Sequence, residues 1–284
     1  MTADSPIASI SDTARWVAVY RAWESSRPDA LFQDPFAQRL AGERGRAIAE
    51  LMPRQTRSGW PIVVRTKLID DAIAAAVEQG CDAVVNLAAG LDTRPYRLAL
   101  PSTLHWCEID LPALLDEKER LLADATPRCI LRRIRADLRE ASERRRALRD
   151  AIGSTNRVLV LTEGLLVYLD SPAVQAISSD LLAEAGVRWW VIDLASPAIV
   201  QMMNQRMGTH LANAPMQFAP ATGVAYFEAL GWSVGQMQEL ARTAARLKRL
   251  PWFLRPFMIL PAPDPRDLGH GRWAAVVRLE PVRR

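Results

Sequence analysis

The chain has 284 residues, of which 49% are hydrophobic and 24% charged, and its formal net charge is +4. This composition is ordinary for a globular protein with a substantial core. No apolar run approaches the roughly 20 residues that span a bilayer, and the N-terminus lacks the apolar stretch of a signal peptide. The three cysteines have no CxxC spacing, which predicts reduced core residues. We therefore expect a cytoplasmic protein without a membrane partner.

Arginine carries almost all of the positive charge, because Lys67, Lys118 and Lys248 are the only lysines. Arginine binds phosphate and nucleic acid well, and nine arginines lie between Arg128 and Arg149. They fall on a predicted strand and helix, are offset by acidic residues, and are not interleaved with glycine or aromatic residues. This pattern favours a solvated face over a nucleic-acid surface, so no nucleic-acid partner is expected.

Two helices are predicted near the N-terminus. The first begins at Ser11 or Asp12 and ends near Ser25. Residues at helical spacing form its predicted buried stripe, namely Trp16, Val19, Tyr20 and Trp23. A turn at residues 31–37 leads into a second helix that ends near Leu40. The glycines and the proline within residues 42–60 predict an irregular connection.

A long helix is predicted from about Pro61 to Gln79, with proline in its first turn and a glycine past its end. Arg65 lies on the apolar face of this helix, one turn from Ile62 and Ile69. An inward guanidinium group needs an anionic partner, because burying it alone is very costly. The partner is either a structural acidic side chain or the carboxylate of a ligand, and the pattern favours neither.

Strands and helices then alternate. Strands are predicted near residues 83–88, 103–109, 129–134, 157–162 and 187–193, and helices near residues 93–99, 111–123, 141–152 and 171–185. This alternation predicts a parallel sheet with helices on both faces. The methionine- and proline-rich residues 196–220 predict a helical cap. A helix to Leu230, a strand from Trp232, a helix at 236–247 and a closing strand at 272–279 are predicted after it.

The first strand of the predicted sheet runs into a turn of small residues at 88–90, and the second ends in Asp110. Small residues let the backbone approach a ligand closely, and an acidic residue twenty positions after Gly90 is about where ribose hydroxyls are bound in nucleoside sites. A dinucleotide fingerprint aligned here has only one glycine of three, and Asp92 would face the phosphates. S-adenosylmethionine fits better, because Asp92 can pair with its positively charged groups and Arg65 can bind its carboxylate.

Six motifs follow one another along most of the chain: RAWES (21–25) with LFQDPFA (31–37), VRTKLID (64–70), NLAAGLDTR (86–94), EIDLP (108–112), ADL (136–138) and TEGLLVYL (162–169). In this order they resemble the leucine carboxyl methyltransferase family of class I methyltransferases. The resemblance is closest to the bacterial branch that methylates oxygen atoms of small molecules, including polyketide-like metabolites. Each motif alone is weak, whereas six in the right order are highly specific.

The resemblance implies an α/β fold, the Rossmann-like, seven-stranded and mostly parallel sheet of class I methyltransferases with a final antiparallel strand. It also implies a single domain over residues 1–284. Residues 1–60 would form an N-terminal helical lid, 61–193 the cofactor-binding core, 196–220 a cap insertion and 222–284 the completion of the sheet. Lid and cap would roof the active site.

The resemblance implies S-adenosylmethionine as the cofactor and indicates residues that contact it. Arg65 would bind the methionine carboxylate, Gly90 would contact the methionine moiety, and Asp110 would bind the ribose hydroxyls. Ala88 stands where the family has the first glycine of its turn, and its methyl group is small enough that binding is still expected.

Further cofactor contacts are implied at the ends of two later strands. Asp137 and Leu138 would meet the adenine, with Asp137 near its exocyclic amine, and Glu163 would face the methionine amine. Helix capping or a salt bridge is the alternative role for Asp137 and Glu163.

Candidates to line the acceptor pocket are Tyr20, Arg21, Tyr168 and His210. His210 is the one histidine predicted to lie over the site, and an ordinary polar cap residue is its alternative role. A carboxylate acceptor, with a pKa near ~4, needs no general base, whereas a phenol would benefit from one. The catalytic residues stay unassigned, and the lack of a metal-ligand cluster predicts no catalytic metal.

Two other functions remain open. One is the methylation of a macromolecule, either a protein C-terminal carboxylate or a modified tRNA base. The other is a regulatory module that binds S-adenosylmethionine without catalysis. The intact pocket motifs favour an enzyme over such a module.

Overall fold

The computed structural model describes residues 10–52, 58–207 and 214–282. Its sheet consists of β1 (Ala83–Leu87), β2 (His105–Asp110), β3 (Ile130–Arg135), β4 (Val158–Thr162), β5 (Val187–Ala195), β6 (Trp232–Glu239) and β7 (Ala274–Pro281). Every residue of β1 and β4 is buried. Their predominantly apolar sequences are typical of parallel strands covered on both faces.

The strands lie in the order β3-β2-β1-β4-β5-β7-β6. The first five strands of the chain are parallel, and β7 pairs antiparallel with both β5 and β6. The strand order reverses between β1 and β4, so a ligand crevice is expected at the carboxyl ends of these two strands. The predicted seven-stranded, mostly parallel sheet is confirmed.

The helices of the described ranges are α1 (Ile10–Ser25), α2 (Ala37–Leu51), α3 (Trp60–Glu78), α4 (Arg94–Arg97), α5 (Pro112–Leu121), α6 (Ala141–Ile152), α7 (Ser171–Ala183), α8 (Pro197–Met207), α9 (Ala225–Ala229) and α10 (Leu240–Arg246). Helices α3 and α10 cover one face of the sheet, and α6 and α7 cover the other. Two 3₁₀ helices occupy Leu166–Tyr168 and Trp252–Ile259.

Helices α1 and α2 pack against each other and against Leu91, which follows the turn after β1. The irregular connection predicted over residues 42–60 is wrong for residues 42–51, which continue α2 beyond a kink at Gly42. Gly45 marks a close approach of the two helices, because a Cβ atom there would lie 2.9 Å from the carbonyl oxygen of Arg15. This glycine serves helix packing rather than a chain break.

The stripe predicted to be buried on α1 is confirmed for Trp16, Val19 and Tyr20. It is wrong for Trp23, which is 44% exposed. Trp23 still meets the ring of Tyr20 edge-on, with ring centroids 5.3 Å apart, so the outer end of the stripe is a surface aromatic pair.

Residues 236–239, predicted to begin a helix, belong to β6. Their pairing with β7 continues as far as Glu239, opposite Ala275. Glutamine, methionine and glutamate favour helices in isolation, but sheet pairing overrides such weak preferences. The helix that follows, α10, therefore begins only at Leu240.

Helix α8 begins the predicted cap, and residues 214–220 continue it without helix. Met203, Met207 and Met216 pack with the residues of α1 and α2. These methionines therefore fill the core between the two N-terminal helices and the segment that begins with α8. Residues 208–213, with His210, lie outside the described residues.

The three cysteines are buried free thiols, as predicted for core residues. Burial raises the pKa of Cys81 and Cys129 to about 11 and that of Cys107 to about 12. Because the thiolate is the reactive form, such thiols are chemically inert at neutral pH.

Candidate functional site

The turn after β1 contains Ala88 and Gly90, both in the left-handed region with φ of 52° and 51°. Glycine adopts this conformation freely, whereas for alanine it costs about 1–2 kcal/mol. The N–H group of Gly90 donates to Oδ2 of Asp110 at 2.7 Å. The carboxyl ends of β1 and β2 are thereby tied together, and the turn forms despite the alanine at position 88.

Two acidic residues of β2, Glu108 and Asp110, differ in their partners. Glu108 is fully buried between Nζ of Lys118 at 2.7 Å and Nε of Arg133 at 2.8 Å. Asp110 is buried too, yet among the described residues it accepts hydrogen bonds only from the N–H groups of Gly90 and Leu111 and has no salt bridge. Burial raises the pKa of the Asp110 carboxyl. A buried carboxyl group without a salt bridge is a candidate ligand-binding group.

Arg65 points from α3 toward the ends of β4 and β5. Its Nε donates to Oε1 of Glu163 at 3.0 Å, and its Nη1 donates to Oδ2 of Asp193 at 2.9 Å. The third nitrogen, Nη2, has no hydrogen-bond partner within the described ranges, and it lies 3.5 Å from where a Cβ atom on Gly164 would stand. The anionic partner expected for Arg65 is thus present as two structural acids, with one nitrogen left over.

Arg94, in the first turn of α4, lies at the centre of the site and is only 2% exposed. Its Nε donates to Asp70 at 2.6 Å, and its Nη1 donates to Asp92 at 2.9 Å and to Glu163 at 2.7 Å. Burial disfavours the charge of Arg94, but the three carboxylates outweigh it and hold the pKa of the guanidinium well above its usual value. In the same way, burial opposes ionisation of Glu163 and Asp92, while Arg94 holds the pKa of both carboxyls below the usual range.

These contacts join nine side chains into one ion-pair network, which we call the arginine–carboxylate cluster. Its contacts run in the order Arg21–Asp34–Arg97–Asp70–Arg94–Glu163–Arg65–Asp193, and Asp92 joins at Arg94. None of these side chains is more than 17% exposed. Five carboxylates face four guanidinium groups, so one negative charge is in excess and a cationic ligand is favoured.

Asp34 connects the N-terminal helices to this cluster. Its Oδ2 accepts hydrogen bonds from Nε of Arg21 at 2.9 Å and from the hydroxyl of Thr93 at 2.7 Å. Arg21 also donates to the carbonyl oxygen of Leu91 at 2.6 Å. Arg21 therefore holds α1 against the turn after β1, and its predicted role in the acceptor pocket stays a prediction.

Asp137 and Leu138 follow β3, at the same edge of the sheet as Asp110. Asp137 is partly exposed and pairs with Arg139, with 2.6 Å between Nη2 and Oδ2. The hydrogen bonds from Arg139 hold the pKa of Asp137 below its usual range. Leu138 packs against the core on the α6 side of the sheet. A salt bridge at Asp137 is thus present, while the adenine contacts of both residues stay predictions.

A family model for leucine carboxyl methyltransferases matches residues 14–181, more than half of the chain. The chain belongs to the leucine carboxyl methyltransferase family. A Frankia alni relative is 30% identical over 280 residues, 94% of each chain. A Mycobacterium bovis relative is 35% identical over 195 residues, which cover 63% of this chain and 64% of the relative. The match thus spans less than two thirds of that relative, and both are named "Putative S-adenosyl-L-methionine-dependent methyltransferase".

Two solved structures share the fold of this leucine carboxyl methyltransferase family member. A DUF574 family protein from Streptomyces avermitilis has a TM-score of 0.60 at 15% identity, covering 95% of this chain and 97% of the other. A "putative methyltransferase" from Thermobifida fusca has a TM-score of 0.58 at 16% identity, covering 98% and 96%. At these identities the likeness shows the fold alone, which is that of class I methyltransferases.

Five members of the arginine–carboxylate cluster carry no role predicted from sequence: Asp34, Asp70, Arg94, Arg97 and Asp193. Three of them lie inside motifs that mark the leucine carboxyl methyltransferase family. Asp193 carries the signal that singles out Arg65, because it is a charged residue between the apolar Ile192 and Leu194 near the end of β5 and needs a partner of opposite sign. Arg94 and Arg97 carry no such signal, because α4 is too short to show helical periodicity.

Two tyrosines predicted to line the acceptor pocket of this family member lie at different depths. Tyr20 is buried in the cluster that α1 and α2 form, and it accepts a hydrogen bond from Nε1 of Trp16 at 3.1 Å. Tyr168 lies after β4 and its hydroxyl bonds to Thr13 of α1, while burial raises the pKa of that hydroxyl. Both pocket roles stay predictions, as does that of His210.

Glu163→Gln is expected to remove part of the acid sensitivity of the fold. Because the folded state lowers the pKa of Glu163, its ionised form stabilises the protein above the ordinary pKa of about 4.3. This stabilisation is lost as the pH falls through the lowered value. The free energy of unfolding, measured in urea at a series of pH values, should therefore differ between parent and variant at neutral pH and converge in acid.

Asp124→Asn is the matched control for Glu163→Gln. Asp124 is an exposed carboxylate that pairs with Arg39 at 2.6 Å, and exposed pairs contribute only about 0–1 kcal/mol. The free energy of unfolding of Asp124→Asn should match that of the parent at every pH. The same pH profile in both variants would show that Glu163 has no special acid sensitivity.

Proposed function

We propose that the chain transfers a methyl group from S-adenosylmethionine to an oxygen atom, in a carboxylate or a hydroxyl, of a small-molecule acceptor. The observation that carries this proposal is Asp110, a buried carboxylate without a salt bridge in the described ranges, beside the point where the strand order reverses. Two backbone N–H groups orient its oxygens, and a carboxylate has lone pairs left to accept ribose hydroxyls. Membership of the leucine carboxyl methyltransferase family supports the same cofactor.

The charges around Asp110 fit S-adenosylmethionine better than a dinucleotide. The excess negative charge of the arginine–carboxylate cluster suits a sulfonium and an ammonium group, and it would repel a pyrophosphate. Glu163 is the proposed contact of the ammonium group. Nη2 of Arg65 is the proposed contact of the ligand carboxylate, because the missing side chain of Gly164 leaves this nitrogen uncovered. The negative charge of Asp92 is already shared with Arg94.

The remaining predicted contacts are assigned to the adenine end. Asp137 and Leu138 lie after β3, beyond Asp110 in the order of the sheet, and are proposed to meet the base. The carboxylate of Asp137 is held by Arg139, so contact with an exocyclic amine would share or replace that ion pair. The turn at Ala88 and Gly90 is proposed to carry the methionine end close to the backbone.

When bound, S-adenosylmethionine supplies a methyl group on a positively charged sulfur that an oxygen nucleophile displaces in line. The task of the chain is then to hold the acceptor oxygen in position, which contributes roughly 7–11 kcal/mol in well-oriented reactions. A carboxylate acceptor is ionised at neutral pH and needs no general base. Because burial raises the pKa of Tyr168, its hydroxyl stays protonated, and we assign it the role of a hydrogen-bond donor that orients the acceptor.

A groove of about 530 Å³ between α8 and residues 216–219 is the proposed site for the body of the acceptor. Its described lining is uncharged and rich in amides: Pro197, Val200, Gln201, Asn204, Gln205, Met216, Gln217 and Ala219. The N–H groups of Gln217 and Phe218 donate to the carbonyl of Val167, which ties the groove to the segment that carries Tyr168. Its size suits a small molecule, and its lining suits a neutral body that forms hydrogen bonds.

Labelled methyl transfer tests the proposal. The purified protein is incubated with a metabolite extract and with S-adenosylmethionine that carries a trideuterated methyl group. Mass spectrometry should reveal a small molecule that gains the labelled methyl group. Mild alkali then separates the acceptor types, because it hydrolyses a methyl ester and leaves a methyl ether intact.

Two arginine variants control this experiment. Transfer should be lost in Arg65→Gln and retained in Arg39→Gln, which removes an exposed arginine that pairs with Asp124. Label found only in the protein or RNA fraction would replace the small-molecule acceptor with a macromolecule. Binding of S-adenosylmethionine without any transfer would replace the enzyme with a regulatory module.

A further inference from the structure

An exposed apolar surface follows α10. Five large side chains of one short segment face solvent, with Trp252 79% and Ile259 88% exposed and Phe253, Phe257 and Leu260 more than half exposed. We call these five side chains the aromatic surface. Large apolar side chains are normally buried, and a contiguous group of them exposed to solvent marks an interaction site.

The segment that carries the aromatic surface is anchored to the core and to α10 by its inward-facing side chains and backbone. Leu254 and Met258 face inward and pack against the core between α3 and α10. Arg242 of α10 donates to the carbonyl oxygens of Met258 at 3.4 Å and Leu260 at 2.7 Å. Prolines at positions 251, 256 and 261 restrict the backbone further. The aromatic surface is therefore preorganised, and little conformational entropy is lost when it is covered.

The segment that carries the aromatic surface, together with α10 before it, contributes only positive charges. Residues 240–263 contain five basic side chains and no acidic one. Two of the five are paired, Arg242 with Glu239 and Arg249 with Glu24 and Asp29. The other three, Arg246, Lys248 and Arg255, are exposed and form no ion pair with any residue that the structure describes.

We infer that the aromatic surface and its three unpaired cations bind the surface of an anionic membrane. Tryptophan and phenylalanine settle at the boundary between headgroups and acyl chains, and exposed cations are drawn to the negative potential of anionic lipids. In the part of the chain that the structure describes, no helix is long and apolar enough to cross a bilayer, so the contact is one that lies on the surface. This inference departs from the expectation of no membrane partner and is independent of the proposed methyl transfer.

A second copy of the chain fits this surface less well. In a two-fold dimer the same patch lies on both sides of the interface. The three unpaired cations of one copy would then approach those of the other, and residues 240–263 offer no acidic side chain to separate them. An anionic lipid surface instead supplies the missing negative charge.

Co-sedimentation of the full chain with vesicles tests the inference. The protein should pellet with vesicles of three parts phosphatidylcholine to one part phosphatidylglycerol and stay in solution with phosphatidylcholine alone. Added salt should release it, because salt screens the attraction. Neutralising Arg246, Lys248 and Arg255 to glutamine should weaken partition about fivefold for each charge removed. Trp252→Ser with Phe257→Ser should weaken it at least about tenfold.

Matched controls come from the opposite face of the sheet. Arg145, Arg146 and Arg149 of α6 are exposed, and their triple glutamine variant removes the same charge at another place. Ile130→Ser removes an exposed apolar side chain from β3. Both controls should bind vesicles as the parent does. Circular dichroism of every variant checks that the fold is kept.

Each outcome decides the inference. Binding to anionic vesicles that only the variants of the aromatic surface lose supports it. No co-sedimentation, equal binding to neutral vesicles, or equal loss in the α6 control overturns it. Light scattering that shows a dimer in the parent and a monomer in the Trp252→Ser, Phe257→Ser variant also overturns it, since a second copy would then cover the surface.

Discussion

Replacing Arg94 with methionine is expected to lower the free energy of unfolding by about 3–5 kcal/mol, the range for removing one partner of a buried ion pair. The guanidinium group of Arg94 holds three carboxylates, those of Asp70, Asp92 and Glu163, at 2.6–2.9 Å. Methionine would leave them less compensated in a cluster that already has one negative charge in excess. Because methionine is a long, adaptable side chain, the loss would report charge more than a cavity. Urea unfolding followed by tryptophan fluorescence measures it.

Two comparisons separate a buried charge effect from the general cost of losing an arginine. Arg39→Met removes an arginine whose carboxylate partner, Asp124, is exposed, and it should cost less than about 1 kcal/mol. Arg94→Met combined with Asp92→Asn also neutralises one of the stranded carboxylates, so the double variant should be more stable than Arg94→Met alone. Equal losses in Arg94→Met and Arg39→Met would contradict the expected role. If Arg94→Met does not fold, the stability of the double variant is compared with that of Arg94→Lys instead. Lysine keeps the positive charge but lacks the planar, multiple donors of the guanidinium group.

The fold could be predicted well because its signals are local. The apolar runs of β1 and β4 and the alternation of strands with helices depend on neighbouring residues, and the structure confirms the parallel sheet. The errors fall where distant contacts decide. Gly45 suggests a break, yet it is the point where α2 touches the backbone of α1 at Arg15. Residues 236–239 favour a helix, yet pairing with β7 makes them a strand.

The candidate site could be predicted only in part, for the same physical reason. The pattern of α3 shows that Arg65 needs an acidic partner, but the partners, Glu163 and Asp193, lie 98 and 128 residues away along the chain. Only the topology of the sheet brings them together. Arg94 is harder still, because α4 is a single turn whose burial cannot be read from helical periodicity.

Asp110→Asn is expected to weaken the binding of S-adenosylmethionine about a hundredfold. A hydrogen bond to a charged group contributes about 1.5–3 kcal/mol, and each 1.4 kcal/mol is about tenfold in affinity. The proposed ribose contact involves two hydroxyls, and asparagine loses both the charge and one of the acceptor oxygens. Isothermal titration calorimetry of parent and variant measures the change.

Glu108→Gln is the matched control, two residues away on the same strand. Glu108 is held between Lys118 and Arg133 and has no proposed contact with the cofactor. The variant should lose stability, because the buried ammonium group of Lys118 loses its carboxylate partner, yet the folded protein should keep its affinity. A similar loss of affinity in both variants would mean that any substitution in β2 weakens cofactor binding. The proposed ribose contact at Asp110 would then have no support.

The pH dependence of stability provides a second test of the role of Asp110. Because burial raises its pKa, the folded state holds the proton more tightly than the unfolded state. The stability that this proton contributes is present below about pH 3.9 and is lost as the pH rises through the raised value. The parent should therefore lose stability relative to Asp110→Asn over that interval.

Cofactor binding should show the opposite trend in the parent, because ribose hydroxyls donate to the ionised carboxylate. Affinity for S-adenosylmethionine should rise as the pH passes through the raised pKa of Asp110, and it should stay flat there in Asp110→Asn. Two opposite trends that both level off above the raised pKa of Asp110 would show that the ionised carboxylate, which burial disfavours, is the form that binds the ligand. Affinity that is independent of pH in the parent would assign the ribose to another group.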